Sequence, residues 1–353
     1  MAKKKKALPK NFAELIRAKD IPALKAVFDS CELDARGGLG KVTALSFFQV
    51  PDELARWLAE QGADVNAQDR YQRTPLHHQA GTWCGNIELF LELGADIEAL
   101  DYQNETPLHS AAGRFQAHAV RTLLAHGANV RAEDNWHETP LMSALSGCQN
   151  IDISNASEVA RLLAEAGSEI SEKMREQVRS IGKNFEFHRA DFNKDYLAET
   201  EAGLARLYEL FSVAPVPERQ IHDGVSSPIT VPDAEWDEQH DALWALLVPG
   251  RGNAKTVQGE VIRLSGRLAH EIMDNGGANW DADFRKMLDA LVKHFGTGTP
   301  LAADELEEAA GIAQILRGGD GDEEPERLME LAVHWVKANP QPVIGDSKPN
   351  YRR

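Results

Sequence analysis

The chain has 353 residues, 42% hydrophobic and 26% charged, with 38 Lys+Arg against 55 Asp+Glu and a net charge of −17. That length predicts about two domains of ordinary globular composition, large enough to bury a core without staples. The charge argues against the basic footprint that duplex DNA requires, and three scattered cysteines, Cys31, Cys84 and Cys148, with no CxxC pair, argue against a disulfide framework or a structural zinc site.

In chain order, residues 1–9 contain four consecutive lysines but no apolar core behind them, so they read as a basic flexible N-terminus and not as a secretory signal. No apolar run approaches the roughly 18 residues that cross a bilayer. The expectation is a cytoplasmic chain with reduced thiols, no membrane contact and no cofactor or metal.

Self-similarity then dominates the chain as far as residue 170. Segments 69–99, 101–132 and 134–170 align, each with an Asp five residues before a Thr-Pro-Leu: Asp69/Thr74, Asp101/Thr106 and Asp134/Thr139. A fainter copy runs through TALSFF (43–48) and WLAEQGADVNA (57–67). In each unit the Thr suits a helix start, with Pro at the first helical position where no amide hydrogen is needed. A second apolar helix comes next, carrying Leu89 and Phe90, Leu123 and Leu124, or Leu162 and Leu163. Gly62, Gly94, Gly127 and Gly167 then end it in a left-handed turn. His77 and His109 suit hydrogen bonding between neighbouring units, not catalysis. One such unit cannot cover its own apolar face, so several must stack.

The Thr-Pro-Leu-His tetrad with a Gly-Ala-Asp ending about 20 residues later resembles ankyrin repeats, over roughly residues 10–182 with Phe12–Ala35 as an amino-terminal cap. The third unit departs from the pattern, reading Thr-Pro-Leu-Met and holding about seven extra residues around Ser146–Ser157. Gln72, Asn104 and His137 stand where the turn usually has Gly. The resemblance implies an all-α solenoid of helix-turn-helix units with short β-hairpins, and a protein-binding, non-enzymatic role. The face it implies carries Arg70, Tyr71, Arg73, Tyr102, Glu105, Trp136, His137 and Glu138 at the fingertips, and Trp83, Arg114 and Phe115 at the inner helix ends. Tyr, Trp and Arg dominate interface energetics. The insertion at 146–157 is a further candidate surface.

Beyond the repeats, 183–213 reads as capping helices, 214–235 with four prolines as a linker or docking strand, 236–340 as an acidic helical domain, and 341–353 as a tail. Residues 183–353 carry 18 basic and 30 acidic side chains, a net of −12. Helices are expected over WDEQHDALWALL, from Thr256 to Asn275, after Asp281, and near 304–317 and 326–338. The block from Thr256 to Met287 resembles segments of poorly characterised bacterial proteins, some thought to be immunity proteins beside toxin genes.

Near-motifs for chemistry fall short. RGGLGKVT (36–43) and GRGNAKT (250–256) lack the full phosphate-loop pattern, His270-Glu271 lacks the second His of a zinc protease, and DGDEE (320–324) lacks EF-hand register. Glu260, Arg263 and Glu271 share one helix and form either a structural ion network or, if they converge in a pocket, an active centre. The leading expectation is a bacterial binding protein that neutralises a toxin, such as a basic nuclease, by occluding its active site. The alternatives are an enzyme or effector whose helical domain carries the chemistry while the repeats select its substrate, and a general scaffold. Partner identity and oligomeric state are not legible.

Overall fold

The computed structural model describes residues 3–345 and 349–352. The chain forms two compact units, residues 1–184 with 193–216, and residues 185–192 with 217–353.

The first unit opens with strand β1 (Lys5–Ala7), then α1 (Phe12–Ala18), α2 (Ile21–Ser30) and strand β2 (Cys31–Arg36). The two strands pair in parallel, with Lys5 opposite Cys31 and Ala7 opposite Arg36, and Leu8 is buried behind them. Described residues of the basic N-terminus are therefore not a free arm. The hairpin bridge Gly37–Val42 makes RGGLGKVT the tip of the first repeat, not a phosphate loop. Stacked helix pairs come next: a single 3₁₀ turn (Ala44–Ser46) with α3 (Asp52–Glu60), then α4 (Pro75–Ala80) with α5 (Ile87–Glu92). Two more pairs complete the series, α6 (Pro107–Gly113) with α7 (Ala117–Ala125), and α8 (Pro140–Ser146) with α9 (Ile153–Glu165). Each α-helix after a Thr-Pro begins with Pro at its first position, and α5, α7 and α9 bury Phe90, Leu123 and Leu163. Gly62, Gly94, Gly127 and Gly167 come after the second helices at φ between 86° and 96°, a region where a Cβ would be strained.

The third repeat's insertion does not form a free loop. Its extra residues lengthen α9, where Ile153, Ala156 and Ser157 are buried. Helices α10 (Glu172–His188) and α11 (Lys194–Phe211) close the stack. On α11, Gly203 approaches so closely that an added Cβ would lie 2.8 Å from Ser154 Cα, and Arg206 reaches the buried Ser157 hydroxyl at 3.0 Å.

The second unit is a helical bundle of α12 (Trp236–Leu247), α13 (Val257–Ala269), α14 (Ala282–Phe295), α15 (Ala303–Ile315) and α16 (Glu324–Ala338). Its core joins Leu243, Val261, Leu264, Leu288, Leu331 and Trp335. Helix α13 is buried nearly all round and passes into a π turn at His270–Asp274. The proline-rich stretch is fastened down and is not an open linker. The Arg219 guanidinium lies 4.2 Å from the Phe187 ring and donates to the carbonyls of Ala245 and Trp244, while Ile229 is buried and its N–H donates to Pro340 O at 2.7 Å. The tail also packs: Val257 N–H donates to Val343 O at 2.7 Å, and Tyr351 is buried.

Candidate functional site

Each fingertip is built by its leading Asp. The buried Oδ1 of Asp69 accepts the backbone N–H of Tyr71 and Arg73 at 2.7 and 3.0 Å. Asp101 does the same for Gln103 and Glu105 at 2.8 and 3.1 Å, and Asp134 for Trp136 and Glu138 at 2.8 and 2.9 Å. Two backbone bonds close each hairpin: the N–H of Asp69, Asp101 or Asp134 donates to the carbonyl four residues on, and the carbonyl of the same Asp accepts the N–H three residues on. The residue that donates this second bond must turn left-handed, and there Gln72, Asn104 and His137 adopt φ of 61°, 60° and 58°. Two carboxylate bonds and two backbone bonds in each hairpin, one of the latter donated by the left-handed residue itself, hold three non-glycine residues where L side chains are disfavoured.

The first helices are locked to the fingertips by histidine. Thr74 N–H donates to His77 Nδ1 at 3.2 Å, which leaves Nε2 to carry the proton and donate to Glu105 O in the next repeat at 3.0 Å. His109 repeats the arrangement with Thr106 N–H at 3.1 Å and Glu138 O at 3.1 Å. Burial lowers the pKa of both rings, so both are neutral stitches. Where the histidine is missing, the threonine suffers. Thr43, with Ser46 three residues on, and Thr139, with Met142, bury hydroxyls that find no hydrogen-bond partner among the described residues.

This framework leaves aromatic side chains outside. Tyr71, Tyr102, Trp136 and Trp83 are 43%, 49%, 59% and 74% exposed. The Tyr71 and Tyr102 rings meet with centroids 5.9 Å apart and planes tilted by 45°, and the Arg70 guanidinium lies 5.2 Å from the Tyr71 ring. Contact between fingertips thus covers only part of each ring. Behind them lies a groove of about 570 Å³ between the fingertips and the first helices. Of the residues expected from the sequence, Arg73, Glu105, Arg114, Trp136 and Glu138 line it. Arg70, Tyr71, Trp83, Tyr102, Phe115 and His137 do not; His137 is exposed and pairs with Glu133 at 3.0 Å, and Phe115 is half-buried at φ 56°.

Arg73 is already engaged, its Nε 3.1 Å from the buried Asp101 carboxylate and its Nη2 3.8 Å from Glu105. Glu138 pairs with Lys173 at 2.6 Å. Burial, joined by the charge of Asp101, holds the Glu105 carboxyl above the usual range despite Arg73. Sequence reasoning missed the groove floor, where His78, Ser110 and Ser143 stand four residues after each Thr, and Gly81, Gly113 and Ser146 three residues further on. Small or polar residues at fixed offsets in successive units were the available signal. The His78 ring is itself held by Asp69, 3.0 Å away.

In the second unit, Glu260 and Arg263 meet but Glu271 does not join them. Eleven residues of helix separate the two carboxylates by about 16 Å, and they line different cavities. Arg263 is 1% exposed and grips Glu260 at 2.6 and 2.9 Å. Glu260 also accepts Ala254 N–H at 3.1 Å and the Tyr351 hydroxyl at 2.7 Å. Burial works to raise its pKa and is outweighed by these four bonds, which hold the carboxyl below its ordinary value. Glu271 instead accepts Asn279 N–H at 2.6 Å and the Asn275 side chain at 3.0 Å, fixing the Gly276-Gly277 turn. The convergence of all three in one pocket, which an active centre there would require, is therefore not found. Asp223, next to His222, builds a turn in the proline-rich stretch: it accepts Val225 and Ser226 N–H at 2.9 and 2.8 Å, and these bonds bring its pKa down to about 2.

Among the described residues no group of three or more His, Cys, Asp or Glu is placed to hold a metal, and no helix is long and apolar enough to cross a membrane. Compared with known families, residues 78–174 match a family described as "Ankyrin repeats (3 copies)" and residues 51–90 one described as "Ankyrin repeats (many copies)". The chain matches no curated protein. Residues 51–174 are thus a run of ankyrin repeats, modules that generally mediate protein–protein interaction.

Proposed function

We propose that the chain is a binding protein whose repeat groove and fingertip aromatics hold a polypeptide partner without chemical change to it. The observation that carries this reading is the row Tyr71, Tyr102 and Trp136, left substantially exposed by fingertips whose backbone N–H groups are all hydrogen-bonded. Exposed aromatics cost solvation in the free protein and anchor interfaces when covered. The direct test is affinity capture with the wild type and with Trp83→Ala/Tyr102→Ala/Trp136→Ala. A specific partner retained by the first and lost by the second supports the proposal; equal retention refutes it.

The partner we favour is a basic protein toxin, nuclease-like in charge, whose active site the chain covers in the cytoplasm of a bacterial host. The net charge of −17 favours encounter with a basic protein, and the 256–287 block resembles immunity-type sequences. Co-expression with a toxin encoded beside the gene tests it. Survival together with a co-purifying complex is the expected outcome, and neither complex nor protection removes this partner class.

A further inference from the structure

We infer that the groove seats a basic side chain of the partner, an arginine or lysine, against Trp136 and between Glu105 and Glu138. The inference rests on the proposed binding role and specifies the partner's chemistry at that surface.

Three observations meet there. The first is the charge of the groove wall. Glu105, Asp134 and Glu138 line the 570 Å³ cavity against two guanidiniums, Arg73 and Arg114. Arg73 is shared between the buried Asp101 at 3.1 Å and Glu105 at 3.8 Å, and Lys173 meets Glu138 at 2.6 Å. Arg114 stands on the exposed rim, with its stem beside Gly81. With the buried Asp101 counted, four carboxylates, Asp101, Glu105, Asp134 and Glu138, stand against three cations, Arg73, Arg114 and Lys173, which leaves the wall one negative charge in excess.

The second observation is the indole. Trp136 borders the same cavity and is 59% exposed, which offers a π face on which a guanidinium or ammonium is stabilised once water is partly excluded. The third is register. Glu105 and Glu138 occupy the same position in successive fingertips, four residues after Asp101 and Asp134, and their backbone carbonyls are fixed by His77 and His109. The carboxylates are thus presented on rigid turns, which limits the ordering cost of pairing. Lys173, which meets Glu138 at 2.6 Å, is 66% exposed and belongs to the chain's own surface; a partner cation between the two carboxylates would share or displace it.

The test is a selection of randomised twelve-residue peptides displayed on phage against the full-length protein, with affinity measurement of the enriched peptides. Expected is enrichment of Arg or Lys at one fixed position. Replacing it with Ala, or introducing Glu105→Gln or Trp136→Ala into the protein, should weaken binding about tenfold, and added salt should weaken it further. Glu60→Gln, an exposed change that does not border the groove, should leave binding unaltered. Circular dichroism of each variant shows that folding is retained. Enriched peptides that compete for the groove but carry no required basic residue would overturn this inference and leave the binding role standing. Failure to enrich any peptide sensitive to Trp136→Ala would overturn both.

Discussion

Thr74, Thr106 and Thr139 look identical in the sequence, yet the structure gives them different energetic roles. The Thr106 hydroxyl lies 2.9 Å from His109 Nδ1, whereas the Thr139 hydroxyl is buried without a partner among the described residues because Met142 replaces the histidine. Thr106→Val should cost about 1–2 kcal/mol, while Thr139→Val should be neutral or stabilising by up to about 1 kcal/mol. Chemical denaturation of the two variants checks the contrast. The fingertip turns offer a second comparison. Gln72 and His137 sit at φ of 61° and 58°, a conformation that costs a side-chain-bearing residue about 1–2 kcal/mol and glycine little. Gln72→Gly and His137→Gly should each raise stability by up to about 1 kcal/mol, after the extra chain entropy of glycine is subtracted. Asn104→Gly should gain less, since Asn tolerates this region.

At the scale of elements, the histidine stitches make the repeat stack sensitive to acid. The rings of His77 and His109 have pKa values lowered by burial, so between their folded and unfolded values the unfolded chain binds more protons. Their contribution is full above about pH 6.5 and is lost as pH falls below it. The added proton would sit on Nδ1 and face the N–H of Thr74 or Thr106. Glu105 and Asp34, whose carboxyls are raised mainly by burial, act in the opposite sense. The midpoint of repeat unfolding should therefore fall from pH 7 to pH 5, and His77→Asn/His109→Asn should flatten that dependence while lowering stability at pH 7. In the helical unit, Tyr351 fastens the tail to the buried Glu260–Arg263 pair. Tyr351→Phe removes one hydrogen bond to a carboxylate and should cost about 1.5–3 kcal/mol. Glu260→Gln, which removes the buried carboxylate charge that faces Arg263, should cost about 3–5 kcal/mol. Thermal unfolding of the intact protein reads both.

Across the whole molecule, how much was legible depended on the range of the interaction. The repeat helices could be read because their signals are local: Asp closes the turn, Pro opens the helix and Gly ends the pair. So could the neutral role of His77 and His109, and five of the residues lining the groove. Lys5–Ala7 as a strand was hidden, because its partner Cys31–Arg36 lies far along the chain and no alternation marks it. The same holds for Tyr351, ninety-one residues from the carboxylate it bonds. Glu271 was grouped with Glu260 because helical spacing says which residues share a helix but not which neighbour each one faces. The central claim is that the fingertip and groove face of the repeats is where a partner is held. The most direct measurement replaces Tyr102 with the photo-reactive p-benzoylphenylalanine, and in a second variant Glu165, an exposed α9 residue outside the groove, and irradiates cells of the native host. The expected result is a specific cross-linked polypeptide from position 102 and none from position 165; cross-linking from 165 alone, or from neither, would contradict the claim.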